Sequence, residues 1–224
     1  FRVLQMLDGI GPATAGRVLD HIAAHTDGNA MAAFRPPTQA VTAWQALVEM
    51  AALKRGQSVF IQAGSGGVGT FAIQLAKQRG ARVATTTSSA NFDLVRRLGA
   101  DTVIDYKTQD FEKEVLGLTN KRGVDVVLDM VAGDYVEREL RCMADDARLA
   151  IIAVQGGTRS AIDTGLVLRK RLAITGSTLR PRTPAEKGAI ATALETHVWP
   201  LLARRVVTPV IDSVLPLEQA ADAH

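Results

Sequence analysis

The hexapeptide Gly64-Ser65-Gly66-Gly67-Val68-Gly69 constrains the fold of this chain more than any other feature. Glycines 64, 66 and 69 fall in the pattern G-x-G-x-x-G, which is weak by itself. Here it directly follows a β-rich apolar run, Ser58 to Ala63, and opens a helical stretch, VGTFAIQLAKQ, with Phe71, Leu75 and Ala76 at helical spacing. The chemistry explains the pattern. The first glycine permits a tight turn, the second lets backbone approach a pyrophosphate, and the third lets helix and strand pack closely. The helix start offers free N–H groups and a partial positive charge to phosphate. The plain alternative is a glycine-rich strand-to-helix turn that holds no ligand.

The flanking sequence supplies the context this loop needs. β-rich runs at Ala81 to Thr87, Thr102 to Asp105, Val124 to Val131, Arg148 to Val154 and Leu172 to Leu179 alternate with helical stretches at 91–98, 110–118, 134–144 and 164–170. The runs are nearly continuously apolar, as expected of strands covered on both faces. Short links between alternating strands and helices imply a parallel sheet with right-handed crossovers. The sequence therefore predicts an α/β fold, a doubly wound six-stranded parallel sheet of the Rossmann type in the order 3-2-1-4-5-6, preceded by a short helical hairpin. A long helix is expected from Pro184 to Leu202, and a strand outside the sheet from Pro209 to Val214. Pro36-Pro37 marks a boundary. This divides the chain into a helical appendage at 1–35, the nucleotide-binding domain at 36–204, and a remnant of a substrate-side domain at 205–224.

An NAD site usually carries an acid about 20 residues beyond the loop, at the end of the second strand. That segment reads Thr85-Thr86-Thr87-Ser88-Ser89-Ala90-Asn91, without an acid. A neutral, hydroxyl-rich edge takes a 2′-phosphate without repulsion, so NADP (as NADPH) is favoured. No Lys or Arg stands in this segment; Arg82, Arg96 and Arg97 are near in sequence and read equally as solvated charges. With 47% hydrophobic and 22% charged residues, a net charge of +3 and no run of five like charges, composition makes no case for nucleic acid or anionic membrane. Cys142 is the sole cysteine, which excludes an internal disulfide and a cysteine-built zinc cluster and fits a reducing cytoplasm. No 18-residue apolar run and no signal-peptide pattern is present. A start at Phe1 rather than Met reads as a fragment or a processed product.

The segments TAWQALVEMAALKRGQSVFIQAGSGGVGTFAIQLAKQRGARV, LVRRLGADTVIDY, RGVDVVLDMVAGDYVE and AITGSTLRPR together resemble the zinc-free quinone oxidoreductases of the medium-chain dehydrogenase/reductase superfamily. The resemblance spans about residues 36–224. It implies NADPH-dependent hydride transfer to a small quinone or enone, with no catalytic metal. It places Thr42 beside the nicotinamide, Gly64, Gly66, Gly67, Val68 and Gly69 on the pyrophosphate, and Ser88, Asn91 and Tyr106 at the 2′-phosphate. Family members often have Lys where Asn91 stands. Val131 and Gly133 would meet the adenosine ribose. Ala153, Val154 and Gly156 would line the nicotinamide, with Ser177, Thr178 and Leu179 closing over it. No acid–base dyad stands out, so the catalytic group is unassigned. The family's β-rich domain, the other wall of the cleft, does not precede these residues here, so weak or no turnover is expected of this chain alone. The family pairs its sixth strand across a homodimer, which nothing in the residues themselves requires.

The opening LQMLDGIGPATAGRVLDHI resembles a helix-hairpin-helix motif, in which Gly9 and Gly11 present N–H groups to a DNA phosphate and Pro12 starts the second helix. A packed αα-hairpin and a fusion artefact are the alternatives, and DNA is the less favoured partner. His21 and His25 stand four apart with no third ligand and read as surface histidines. Three functions remain open: a quinone or enone reductase, an NADP-binding module without turnover, and an enoyl-reductase module of a larger synthase.

Overall fold

A computed structural model describes residues 38–211 together with Ser213 and Pro216. The helical hairpin expected at 1–35, with His21 and His25, lies outside the described residues. Gln39–Pro209 forms one compact unit.

Among the described residues there are six strands, β1 (Ser58–Ile61), β2 (Arg82–Thr87), β3 (Thr102–Asp105), β4 (Val124–Asp129), β5 (Met143–Ile151) and β6 (Ala173–Gly176). They form one all-parallel sheet in the order β3-β2-β1-β4-β5-β6, as the sequence predicts. The helices are α1 (Thr38–Trp44), which runs into a π-helical turn at Gln45–Met50, then α2 (Gly67–Gln78), α3 (Phe92–Arg97), α4 (Phe111–Leu118), α5 (Tyr135–Arg141), α6 (Thr164–Lys170), α7 (Pro184–His197) and α8 (Trp199–Ala203).

Alternation along each strand splits the apolar runs between two cores. Val59 and Ile61 of β1, and Val126 and Leu128 of β4, pack with Phe71, Ala72 and Leu75 of α2, Val95 of α3 and Leu194 of α7. Phe60 and Val127, between them in sequence, point the other way to Phe111 and Val115 of α4 and Val136 and Leu140 of α5. Both faces are thus covered, so neither alternate position of a run need be polar. At the amino ends, Asp125 accepts from the Ser58 backbone and hydroxyl at 2.8 Å each and pairs with Arg122.

The structure corrects several boundaries. The helix expected to reach residue 144 stops at Arg141, because the Cys142 N–H turns back to Arg138 and Glu139 and its carbonyl accepts from Val124. β5 then starts at Met143, five residues early, and takes up the excess in a bulge opposite Val124 to Val126, with Asp146 left-handed at φ 58°. The helix expected at 184–202 is two. Pro200 lacks the N–H that a continuing helix needs, and the first ends at His197. Pro209 to Ile211, the described start of the expected outer strand, is not a strand. Among the described residues no helix is long and apolar enough to cross a membrane.

Phe60 is fully buried and packs at 5.5 Å against Phe111 with the rings tilted by 30°, and Phe111 meets Tyr135 edge-on at 5.2 Å. Phe60→Ala is expected to cost about 3–5 kcal/mol of unfolding free energy, read as a lower denaturant midpoint at unchanged slope. A loss under about 1 kcal/mol would contradict this packing.

Candidate functional site at the carboxyl ends of the strands

Most strands end sooner than their apolar runs. The surplus residues, Gln62-Ala63, Met130-Val131, Ile152 to Val154 and Ser177 to Leu179, become loops at one end of the sheet. The chain reverses winding direction between β1 and β4, and open α/β sheets bind ligands outside such a point.

The turn after β1 is held by β2. Ala63 takes the left-handed conformation (φ 49°), and its N–H donates to Thr86 Oγ1 at 3.0 Å, while Gly64 N–H donates to the Thr86 carbonyl at 2.8 Å. A Cβ on Gly64 would strike the Thr85 side chain, and one on Gly69 would strike the Ala63 carbonyl and the Gly64 backbone. The third glycine therefore seats α2 against the turn. Gly66 is the N-cap of α2; no side chain caps the helix, and no acid stands in its first turn. Gly66 and Gly67 are exposed and Val68 is half-buried. This is an uncompensated helix N-terminus faced by open backbone, which suits an anion. Gln39 of α1 reaches the loop, its Cγ 3.1 Å from where a Cβ on Gly67 would lie. Thr42 follows three residues along, on the same side of α1.

Beyond β2 the predicted residues converge. Thr87 Oγ1 donates to Ser65 Oγ at 2.8 Å, and Asn91 Nδ2 reaches Ser65 Oγ and Ser88 Oγ at 3.4 Å each. Tyr106 is half-exposed at the end of β3, its N–H donating to the Thr87 carbonyl at 3.4 Å. The edge made by Ser65, Thr87, Ser88 and Asn91 is neutral and rich in hydroxyl groups; beside it, at the end of β3, Asp105 pairs in register with Thr87 and Lys107 Nζ lies 6.0 Å from the Tyr106 ring. Arg82 is not part of it: it opens β2, five residues from Thr87, roughly 16 Å away along a strand. Ser65 is a residue that sequence reasoning missed, because the motif leaves its second position free.

The β4 and β5 loops touch. Gly156 N–H donates to the Val131 carbonyl at 2.6 Å, and a Cβ on Gly133 (φ 58°) would meet the Gly156 carbonyl. Ala153 and Leu179 pack partly buried against the core, Val154 is half-exposed, and Thr178 is exposed with its carbonyl accepting from Arg182 at 3.0 Å. Ser177 N–H donates to Ile151. The buried Gln45 amide, in the π-helical turn, donates to Ser177 Oγ at 3.1 Å and accepts from Arg182 at 2.7 and 2.9 Å. The α1 region is so tied to the end of β6.

A buried polar chain underlies the junction of β1 and β4, and sequence reasoning missed it. Thr86 Oγ1 donates to Gln62 Oε1 at 2.7 Å, and Gln62 Nε2 donates to Glu139 Oε1 at 2.9 Å. Glu139 lies against Asp129, whose carboxylate accepts from Val131 N–H at 2.6 Å and Ala132 N–H at 3.0 Å. Burial, then the Asp129 charge, pushes the Glu139 carboxyl up to about 8. Burial also raises Asp129, against the pull of the two N–H groups and Glu139. The isolated sequence offers no signal for this pairing, since Glu139 reads as one more helical charge.

A cavity of about 320 Å³ lies at the opposite, amino end, between β2, β3 and α4. Of its three charged residues, Asp101 and Arg122 are paired with Lys77 and Asp125, and Arg82 is exposed at its rim.

The comparisons agree with this geometry. Residues 67–195 match the family model for zinc-binding dehydrogenases. A phenolphthiocerol synthesis polyketide synthase of Mycobacterium bovis is 44% identical over 114 residues, covering 50% of this chain and 5% of that protein. The human quinone oxidoreductase is 28% identical over 187 residues, covering 82% of this chain and 54% of the relative, so this chain spans about half its length. A solved polyketide synthase domain assigned as an enoyl reductase superposes with a TM-score of 0.66 at 29% identity, covering 79% of this chain and 98% of that one.

The family name implies zinc, and the side chains of the described residues do not fit it. Among the described residues no three of His, Cys, Asp and Glu gather. Cys142 is buried in the core and donates to the Glu139 carbonyl at 3.3 Å, its thiol pushed up to about 12 by burial.

Gly69→Ala is expected to cost about 1–3 kcal/mol, since backbone must yield to the new methyl group. Gly188→Ala in α7, where a Cβ meets nothing within 4 Å, is expected to be neutral or stabilising. Equal effects in chemical denaturation would contradict the close approach at Gly69. With its family-model match over more than half its length and this sheet, the chain belongs to the zinc-binding dehydrogenase family of the medium-chain dehydrogenase/reductase superfamily.

Proposed function

We propose that this chain is the NADPH-binding part of a reductase that delivers hydride to a conjugated carbonyl acceptor, an enoyl thioester in the first instance. The observation that carries the cofactor is the uncapped, acid-free start of α2 at Gly66 and Gly67, set beside the acid-free edge of Ser65, Thr87, Ser88 and Asn91. The domain would run over residues 36–204.

The pyrophosphate would lie on Gly64, Gly66, Gly67, Val68 and Gly69, where N–H groups and the helix dipole balance its charge. Ser88, Asn91 and Tyr106 would take the 2′-phosphate and adenosine, with Ser65 as an added donor. Val131 and Gly133 would border the ribose. Thr42, Ala153, Val154, Gly156, Ser177, Thr178 and Leu179 would surround the nicotinamide. When bound, that ring supplies the hydride, and the protein's part is to orient it and exclude water. The Gln45 bridge to Ser177 and Arg182 holds one wall of this space.

The acceptor class rests on relatives. The 44% identity to a stretch of a polyketide synthase, taken with the likeness to the solved polyketide synthase domain assigned as an enoyl reductase, favours an enoyl thioester. A free quinone is the second reading, favoured by the longer match to the human quinone oxidoreductase. NADPH consumption with crotonyl thioester and with benzoquinone, side by side, separates them: a faster rate with the quinone moves the assignment to the second reading.

Asn91 leaves an amide where the 2′-phosphate is expected. Asn91→Lys is expected to tighten NADPH about tenfold while leaving NADH unchanged, as a charge-assisted hydrogen bond forms. Nucleotide fluorescence measures both. Equal gains for the two nucleotides, or tighter NADH binding by the parent chain, would overturn the NADP assignment.

A further inference from the structure

Asp129 and Glu139 are both fully buried, and their carboxyl groups lie within hydrogen-bonding reach. The direction of every bond around them is set. The Thr86 hydroxyl donates to Gln62 Oε1, so the Gln62 amide must present Nε2 to Glu139 Oε1. Asp129 is occupied by the N–H groups of Val131 and Ala132. This leaves Glu139 Oε2 buried and without a donor, on a carboxyl group that lies beside another carboxylate. Two bare charges in that position would be strongly unfavourable, and a single proton removes the conflict.

We propose that Asp129 and Glu139 share one proton, carried on Glu139 Oε2 and donated to Asp129, and that this pair is the positioning element that holds the turn before the glycine loop and the β4 loop in register. The proposal rests on the nucleotide reading of the cleft. The chain of bonds is continuous, from Ala63 N–H through Thr86, Gln62, Glu139 and Asp129 to Val131 and Ala132. Both ends are backbone of loops that border the cleft.

The pair makes cleft geometry sensitive to alkali. Glu139 is raised, so its contribution is full below the ordinary carboxylate range and is lost as pH climbs through about 8. The other titratable groups facing it are few. Arg138, on its own helix, pulls it down weakly, and the Cys142 thiol, pushed up to about 12, stays protonated across that window. The turn after β1 presents the neutral Gln62, and β2 the neutral Thr86.

The test uses the full chain and Glu139→Gln, whose amide donates to Asp129 and whose carbonyl accepts from Gln62. Infrared spectra should show a protonated-carboxyl band at neutral pH, absent from Glu139→Gln and lost above about pH 8. The NADPH Kd of the parent should weaken about threefold or more between roughly pH 6.5 and 9.5, while Glu139→Gln stays within about twofold. Glu139→Leu should bind weakly throughout. A missing band, or coincident pH profiles for parent and Glu139→Gln, would overturn the shared proton as a positioning element. A titrating band with no NADPH binding at any pH would overturn the nucleotide reading and, with it, the positioning role, but not the shared proton.

Discussion

The close approach of backbone to backbone at Gly69 is the contact on which the rest depends. A side chain there would push α2 away from Ala63 and Gly64. With none, α2 settles on β1 and buries Phe71, Ala72, Leu75 and Ala76 against the sheet. The same contact points the start of α2 at the carboxyl ends of the strands. One missing methyl group thus serves packing and electrostatics together. Burying the apolar side chains of α2 is worth several kcal/mol at about 25 cal/mol per Å², and it also anchors the helix dipole at that end of the sheet.

The two ends of the sheet are built differently. At the amino end, charge is neutralised locally: Arg122 and Ser58 satisfy Asp125, and Lys77 satisfies Asp101. For Asp125, burial works to raise the carboxyl, but these partners prevail and hold it below its usual range. At the carboxyl end the polar groups are more deeply buried and connected across three strands. Thr86, Gln62, Glu139 and Asp129 all lie under the loops. A fold that needed only stability would do as well with apolar residues there. Their presence under a cleft is what a binding function asks for, because loops must be fixed without being filled.

The fold was largely legible in the sequence. Unbroken apolar runs, the glycine pattern and its strand-to-helix context lead to a doubly wound sheet, and the strand order follows. What could not be read has identifiable physical causes. The early start of β5 depends on a bulge, whose left-handed Asp146 has no composition cue. The break at Val198 is visible as Pro200, yet proline is also a normal first-turn residue, so the sequence allows either reading. The candidate site was legible where it is local. Spacing points to Gly64, Gly66 and Gly69, and resemblance points to Ser88 and Asn91; the structure brings Asn91 to both Ser65 of that loop and Ser88. The Asp129–Glu139 pair joins a strand end to a helix ten residues on, and its partner Gln62 is another 67 residues earlier than Asp129. No one-dimensional pattern carries such a contact.

The central claim is that a nicotinamide dinucleotide binds across the carboxyl ends of β1, β2 and β4. Backbone amide chemical shifts, followed as NADP⁺ is added to the chain, test it most directly. The account predicts changes concentrated at Ser65 to Gly69, Thr87 to Asn91, Tyr106 and Val131 to Gly133, with little at Ser58, Arg82 or Thr102 on the amino side. Changes centred on the cavity lined by Arg82, Asp101 and Arg122, or none at any nucleotide concentration, would contradict it.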